Sequence, residues 1–318
     1  MTLARRGLMA ALGLLAAAYV VIAWTMVSMA VVADREPVES TPAEYGMAYE
    51  DVAFLPRMPE QRADEGPLTL HGWWIPADTG QTGEESSAVI IVHGLDSNRA
   101  REPETWMPFI RSLRDQGFSV LLFDLRAHGE SDGEITSAGY YERYDVLGAF
   151  DLAQNRYGVP ARRAGVLAFS MGGAASVLAA AEEPQLRALV IDSSFANIDD
   201  LFAVEIADRT PLPAWTVGAL RPGMELLARM RYGIRLSALK PEEAISEIGF
   251  PALLIHAEDD TRIDIGHSER IAAAATHPQT TLLRFPDGGH SGAYEAHPQE
   301  FLTAVAAYFR RQFGAQPP

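Results

Sequence analysis

Short apolar runs alternate with amphipathic stretches along most of this chain, and this alternation constrains its fold more than any other feature. Residues 118–123 (FSVLLF) are continuously apolar, as is typical of a strand buried on both faces. Further strands are predicted at residues 69–75, 88–92, 165–169, 186–191, 250–256 and 280–285, and helices at 103–116, 140–157, 171–183 and 301–313. The pattern predicts an α/β protein with a mostly parallel central sheet, helices on both faces and functional loops at the carboxyl ends of the strands.

Size and composition narrow the possible functions. The 318 residues suffice for one large domain with a short appendage. The formal net charge of −16 argues against nucleic acid as a partner, because an acidic surface repels phosphate backbones. The chain has no cysteine, which excludes thiol catalysis, disulfide bonds and thiolate metal sites.

The N-terminus carries a long apolar segment. No charged residue occurs between Arg6 and Asp34, and about 25 apolar residues suffice to cross a hydrocarbon core as a helix. Arg5 and Arg6 precede the segment, whereas its far flank is mostly acidic. Residues 1–33 are therefore predicted to be a single-pass membrane anchor, with the N-terminus in the cytoplasm and the main domain on the other side.

A cleaved signal peptide is the alternative interpretation of this segment. Small residues at Ser28, Ala30 or Ala33 could mark a cleavage site, but the apolar run exceeds the usual 7–15 residue core of a signal peptide. Both interpretations place the main domain outside the cytoplasm. Residues 34–46 are polar and contain proline, so we expect a linker there, followed by a main domain over residues 47–318.

One segment interrupts the regular alternation. Residues 197–248 separate two predicted strands by about 50 residues, far more than a crossover needs, and they are rich in proline, methionine and tryptophan. We expect a helical cap inserted over the functional site. A long surface excursion is the alternative.

Ser170 is the candidate nucleophile. Residues 167–173 (LAFSMGG) join a predicted strand to a predicted helix and match a nucleophile elbow, with Ala168 in place of its first glycine. The positions two before and two after the serine must be small because they approach each other. The turn would expose the serine hydroxyl above the sheet and direct the Met171 N–H at a developing oxyanion. The alternative is an ordinary serine at a helix N-cap.

The loop after residues 88–92 is the candidate for the second oxyanion donor. The strand ends in His93 and Gly94, and the N–H group of Leu95 is the expected donor. His93 itself is expected to support the loop and not to act as the base.

The acid and the base should follow the serine in that order along the chain. Asp260 is the preferred acid, since the loop after residues 250–256 needs a few residues to turn, and Asp259 and Asp192 are alternatives. His290 is the preferred base, because two glycines precede it and allow the loop to bring its imidazole back over the sheet.

Together these segments resemble the α/β-hydrolase superfamily, over residues 50–313. They are similar to membrane-anchored bacterial hydrolases of the serine-aminopeptidase-like and monoacylglycerol-lipase-like groups. The blocks that carry the resemblance are His93-Gly94, residues 124–131 (DLRAHGES), the Ser170 elbow, the Asp260 loop and Gly289-His290. The resemblance implies the α/β-hydrolase fold, a structural role for residues 124–131, and a catalytic domain on the periplasmic side of a bacterial inner membrane.

The implied activity is hydrolysis of an ester, thioester or amide through an acyl-serine, without cofactor or metal. An apolar cap near a membrane suggests a small lipophilic ester as substrate, and no obligate protein partner is evident. The alternatives are an aminopeptidase-like amide hydrolase, a non-catalytic binding or scaffold protein of the same fold, and a metal hydrolase. The metal ligands would come from His256, Glu258, Asp259, Asp260, Asp264 and His267.

Overall fold

The computed structural model describes residues 3–57, 67–78, 86–202 and 216–314. Eight strands form one sheet: β1 Glu50–Phe54, β2 Leu70–Ile75, β3 Ala88–Val92, β4 Ser119–Phe123, β5 Ala164–Phe169, β6 Leu189–Asp192, β7 Leu253–Ala257 and β8 Thr281–Phe285. Their spatial order is β1-β2-β4-β3-β5-β6-β7-β8. The pairs β1–β2 and β2–β4 are antiparallel, and every other neighbouring pair is parallel.

Helices cover both faces of this sheet. The helices of the described residues are α1 Leu3–Ala30, α2 Pro103–Asp115, α3 Glu142–Asn155, α4 Met171–Glu182, α5 Thr216–Tyr232, α6 Pro241–Ala244, α7 Gly266–Ala274, α8 Ala293–Ala296 and α9 Pro298–Gly314. Alternate residues of each strand point to opposite faces. Ile90 therefore packs in a core with α3 and α4, whereas Ile91 packs in a second core with α2 and α9. The predicted fold, a mostly parallel sheet between two helical layers, is confirmed.

Three elements were not predicted, namely β1, α7 and the four-residue α8, and the strands expected from residues 186 and 250 each begin three residues later. β1 alternates charged and apolar residues and buries only Val52 and Phe54, so it lacks the continuous apolar run of a central strand. Helix α7 has a weak apolar face, with Ser268 and Ile271 buried. The strand expected from residue 186 begins at Leu189, because the Leu186 N–H closes a turn onto the Glu183 carbonyl.

Residues 34–46, the expected linker, lie on the surface of the main domain. The Arg35 guanidinium donates to the carbonyl oxygens of Gly129, Ser131 and Gly133, at 2.7–2.9 Å. The Asn98 side-chain amide donates to the Glu36 carbonyl. A polar, proline-bearing composition predicts exposure but cannot reveal that a distant loop offers three carbonyl acceptors to one guanidinium. The segment is an ordered strap across the domain.

The region expected to form a cap contains helices. Within the described residues, α5 and α6 lie between β6 and β7, and residues 203–215 of the expected cap lie outside the described part of the chain. Helix α1 packs along α5 in a third apolar cluster, which also contains Tyr140 and Phe195. By length and composition, the 26 residues Arg5–Ala30 are apolar enough to cross a membrane, with a mean hydropathy of 2.1.

Candidate active site

Ser170 occupies a strained turn between β5 and α4. Its φ of 51° and ψ of −119° are rare for a residue with a side chain, and its N–H donates to the Asp192 carbonyl at 2.9 Å. A Cβ at Gly172 would collide with the His93 carbonyl oxygen and would lie 2.9 Å from the Val92 carbonyl oxygen. Ala168 is fully buried, so the fold accommodates the one methyl group by which this elbow departs from the common pattern. The close approach of the start of α4 to the end of β3 therefore requires glycine at position 172.

Three side chains from the ends of β5, β7 and β8 form a chain of hydrogen bonds. The Ser170 Oγ lies 2.9 Å from the His290 Nε2, and the His290 Nδ1 lies 2.8 Å from the Asp260 Oδ2. With the imidazole proton on Nδ1, the hydroxyl donates to Nε2 and Nδ1–H donates to the carboxylate. The structure thus brings together the serine, histidine and acid that the sequence predicts to form a triad.

Asp260 is held as a carboxylate. Burial alone would raise its pKa, but hydrogen bonds from His256 and His290 and the Ile263 N–H outweigh burial and hold the pKa well below its usual range. The Asp260 Oδ1 accepts the N–H groups of Arg262 and Ile263, each at 2.9 Å. An acceptor-only side chain fixed in this way orients the imidazole and stabilises its protonated form.

The two alternative acids have other partners. The Asp259 Oδ1 accepts the Gly289 N–H at 2.7 Å and so orders the loop that carries His290. The Asp192 Oδ1 accepts the Ser193 hydroxyl at 2.9 Å, and its Oδ2 is buried without a partner among the described residues. Of the three candidate acids, Asp260 alone hydrogen-bonds to His290 within the described part of the chain.

The loop expected to supply an oxyanion donor passes directly beside Ser170. A Cβ at Gly94 would lie 3.1 Å from the Ser170 Cβ, and Leu95 follows at once. Burial lowers the pKa of His93 well below its usual range, so the ring is neutral. Its Nδ1–H donates to the Gly94 carbonyl at 2.7 Å, and its Nε2 accepts the Leu125 N–H at 3.0 Å. His93 therefore braces this loop.

Met171 is the first residue of α4, so helix geometry leaves its N–H without an intrahelical acceptor. The positive end of the α4 dipole lies at this N-terminus, directly after Ser170. The N–H groups of Met171 and Leu95 thus belong to the two segments that flank the Ser170 side chain.

A protein-family model for the Alpha/beta hydrolase family matches residues 89–304, which span β3 to α9 and all the side chains described above. The chain belongs to the alpha/beta hydrolase family. Among solved structures, the hydrolase is similar to the Pyrococcus furiosus esterase Pf2001, with a TM-score of 0.69 and 26% sequence identity, over 89% of this chain and 100% of that chain.

Curated relatives have a similar sequence identity to this chain. The Bacillus subtilis protein YqkD, whose name describes it as uncharacterized, is 27% identical over 73% of this chain and 72% of its own length. The Arabidopsis thaliana protein WAV2, named as an alpha/beta hydrolase domain-containing protein, is 27% identical over 79% of this chain and 75% of its own length.

His256 is a site residue of the hydrolase to which sequence reasoning gave no role beyond a hypothetical metal ligand. It is fully buried at the end of β7, with Nδ1 2.7 Å from the Ser268 hydroxyl and Nε2 2.8 Å from the Ile263 carbonyl and 3.3 Å from the Asp260 Oδ2. Burial acts to lower the pKa of His256, but the Asp260 carboxylate and the Ile263 carbonyl outweigh it and raise the pKa. The only signal in the sequence was a histidine at a strand end before an acidic run.

Residues 124–131 of the hydrolase support the site from beneath. The buried Asp124 carboxylate accepts the Arg99 guanidinium and the N–H groups of Arg99 and Glu130. His128 is also buried, and its Nδ1 lies 2.7 Å from the Arg126 carbonyl. These contacts are structural, as the resemblance implied.

The acidic run does not assemble into the metal site considered as an alternative. No group of three or more histidine or carboxylate side chains within the described residues has an arrangement that could hold a metal ion. Asp264 accepts the Gly266 N–H at 2.8 Å, and the His267 Nδ1 accepts the Ala196 N–H at 3.1 Å. These side chains therefore order separate turns.

Proposed function

We propose that this hydrolase cleaves carboxylic esters through an acyl-enzyme formed on Ser170. The observation that carries the proposal is the unbroken series of hydrogen bonds from the Ser170 Oγ through His290 to Asp260, with lengths of 2.9 and 2.8 Å. Similarity to the esterase Pf2001 supports an ester as the bond that is cleaved.

In this mechanism the His290 Nε2 takes the Ser170 proton as Oγ attacks the carbonyl carbon of the ester. The carbonyl oxygen gains negative charge and accepts the N–H groups of Leu95 and Met171. Each donor of this kind typically stabilises the transition state by about 3 kcal/mol. His290 then gives its proton to the departing alcohol, and a water molecule repeats the sequence to release the acid and restore Ser170.

The role of Asp260 in this mechanism follows from its surroundings. Hydrogen bonds from His256, His290 and the N–H groups of Arg262 and Ile263, together with a low pKa, keep it ionised while the imidazole gains a proton. It therefore stabilises the imidazolium electrostatically and does not itself take up the proton. No cofactor and no metal ion enter the reaction.

A lipophilic small-molecule ester is the proposed substrate class. The apolar helix α1 has the length and composition of a membrane span and packs against α5, in an apolar cluster that also contains Ile263, whose N–H donates to Asp260. In this proposal α1 is a retained single-pass anchor, and the catalytic domain lies on the extracytoplasmic side. Neither nucleic acid nor an obligate protein partner is part of the proposal.

A substrate panel with the full-length protein in detergent tests this function. The panel comprises p-nitrophenyl esters of increasing chain length, an acyl thioester and an aminoacyl amide. We expect the esters to be hydrolysed fastest, with a preference for longer acyl chains, and Ser170→Ala to lower kcat by about 10⁴-fold or more. The half-buried Ser246, whose hydroxyl donates to the Glu243 carbonyl, provides the control, and Ser246→Ala should retain full activity.

Other outcomes of the panel would redirect the assignment. Turnover of the aminoacyl amide alone would favour an aminopeptidase-like enzyme. Absence of turnover on every substrate, together with no reaction of Ser170 with a fluorophosphonate, would favour a binding or scaffold protein.

A further inference from the structure

Helix α1 is packed into the hydrolase along one of its faces. Ala23, Val27 and Val31 are at most 6% exposed and share an apolar cluster with Leu220 and Met224 of α5. These three residues are spaced four apart in the sequence, so they lie on the same side of the helix. One face of the apolar N-terminal segment is thus part of the folded domain.

The hydroxyl of a tyrosine of α1 is inserted into the backbone hydrogen bonding of α5. Pro222 lies inside α5 and has no N–H group, so the helical ladder is interrupted there. The Tyr19 hydroxyl donates to the Ala219 carbonyl at 3.0 Å and accepts the Gly223 N–H at 3.0 Å. The hydroxyl therefore lies between the Ala219 carbonyl and the Gly223 N–H, which would otherwise form a direct helical hydrogen bond. The contact is specific, because it pairs one hydroxyl with two particular backbone groups.

Gly223 makes this approach possible. A Cβ at position 223 would lie 2.6 Å from the Tyr19 ring, which is too close for any side chain. A signal-peptide cleavage near Ser28–Ala33 would remove Tyr19 and would expose the apolar side of α5. The structure therefore favours a helix that stays with the protein.

The opposite sides of both helices are exposed and apolar. On α1, Leu14 and Val21 are 73% and 62% exposed, and their spacing of seven residues places both on the side away from Ala23. On α5, Leu226 and Met230 are 57% and 75% exposed, and their spacing of four residues places them on one stripe. Exposed apolar side chains on two helices that pack together indicate a surface that contacts another protein or a membrane.

Two arginines flank the exposed stripe of α5. Arg229 and Arg231 are exposed, and neither forms an ion pair with a carboxylate of the described residues, whereas Arg221 of the same helix pairs with Glu225. The protein as a whole has a formal net charge of −16, so an anionic membrane repels most of its surface. Arginines beside exposed Leu226 and Met230 have the composition of an interfacial helix.

We propose that the exposed side of α5 contacts the lipid beside α1, with Leu226 and Met230 among the acyl chains and Arg229 and Arg231 at anionic headgroups. The Tyr19 contact fixes α5 to α1 and so holds this part of the hydrolase on the bilayer. The partner is an anionic lipid surface. The proposal does not depend on catalysis by Ser170.

The absence of native cysteine makes a direct test possible. Full-length Leu226→Cys and Met230→Cys proteins are labelled with the fluorophore NBD and reconstituted into vesicles of phosphatidylcholine and phosphatidylglycerol. Gln299→Cys, at an exposed position of α9, is the matched control. We expect a lipid with a shallow doxyl group to quench NBD at positions 226 and 230 at least about threefold more than at position 299. Equal quenching at all three positions would overturn the proposal.

The arginines and Tyr19 are tested in the same system. Arg229→Gln with Arg231→Gln should reduce quenching at position 226, as should pure phosphatidylcholine vesicles, and insensitivity to both would overturn the headgroup contact. Tyr19→Phe keeps the ring but removes the bridging hydroxyl. Hydrogen exchange should then become faster at the Gly223 amide and stay unchanged in α9, and an unchanged Gly223 amide would contradict the proposed contact between the helices.

Discussion

Asp260, Asp259 and Asp192 lie close together at the strand ends, yet each carboxylate meets different groups. Asp260 accepts a hydrogen bond from the His290 Nδ1 at 2.8 Å, and Asp259 accepts one from the Gly289 N–H at 2.7 Å. One oxygen of Asp192 is buried without a partner among the described residues. From the sequence, Asp260 was the preferred acid, but Asp259 and Asp192 remained as alternatives. The choice depends on how the loop after β7 turns, which residue types alone do not specify.

Substitution of the acid should distinguish these roles. We expect Asp260→Asn to lower kcat by about 10⁴-fold, because the amide favours the wrong imidazole tautomer and carries no charge to stabilise the imidazolium. Asp259→Asn keeps an oxygen that can accept the Gly289 N–H and should change kcat only a few-fold. Steady-state kinetics on a p-nitrophenyl ester provides the measurement. Comparable losses in both variants would contradict the assignment.

The buried Asp192 predicts a pH-dependent stability. Burial raises its pKa to about 6 from an ordinary value of 3.8. Its neutral form therefore favours the folded state, a contribution that is complete below about pH 4 and lost as the pH rises through about 6. Asp192→Asn stays neutral, so its free energy of unfolding relative to the wild type should rise by about 2 kcal/mol between about pH 4 and pH 7. Urea unfolding at several pH values measures this difference, and a constant difference would contradict the prediction.

At the scale of elements, the elbow between β5 and α4 depends on close backbone contact. A Cβ at Gly172 would meet the carbonyl oxygens of β3 and of its loop. We expect Gly172→Ala to lower the free energy of unfolding by about 1–3 kcal/mol or to shift the elbow and reduce activity. Gly249→Ala is the control, since no atom lies within 4 Å of a Cβ built there. Thermal unfolding and ester hydrolysis of both variants test this, and a fully stable and active Gly172→Ala protein would contradict it.

The elements that the sequence predicted are those with a strong local pattern. β3 and β4 are fully buried because both of their faces are covered, and apart from Ser119 their residues are apolar, while α9 has a clear apolar stripe. β1 and α7 escaped prediction because each buries only two residues of its own pattern. The strap over residues 34–46 escaped because its contacts are to carbonyl groups about 95 residues away in the chain, which composition does not encode.

At the scale of the whole molecule, the apolar helix α1 is connected to the catalytic domain covalently and also packs against it through side-chain contacts. Because Ala23 and Val27 are buried in the domain, we expect the mature protein to retain residues 1–33. Intact-mass measurement on the protein purified from the membrane fraction should give the full-length mass. A mature N-terminus between residues 29 and 34 would show instead that the helix is a signal peptide.

The convergence of β5, β7 and β8 on one hydroxyl, one imidazole and one carboxylate is the central claim of the proposed mechanism. The most direct measurement is to treat the full-length protein with a fluorophosphonate and map the adduct by peptide mass spectrometry. The account predicts a single adduct on Ser170 and a labelling rate that falls by orders of magnitude in His290→Ala. An adduct on another residue, or labelling of Ser170 at an unchanged rate without the histidine, would contradict it.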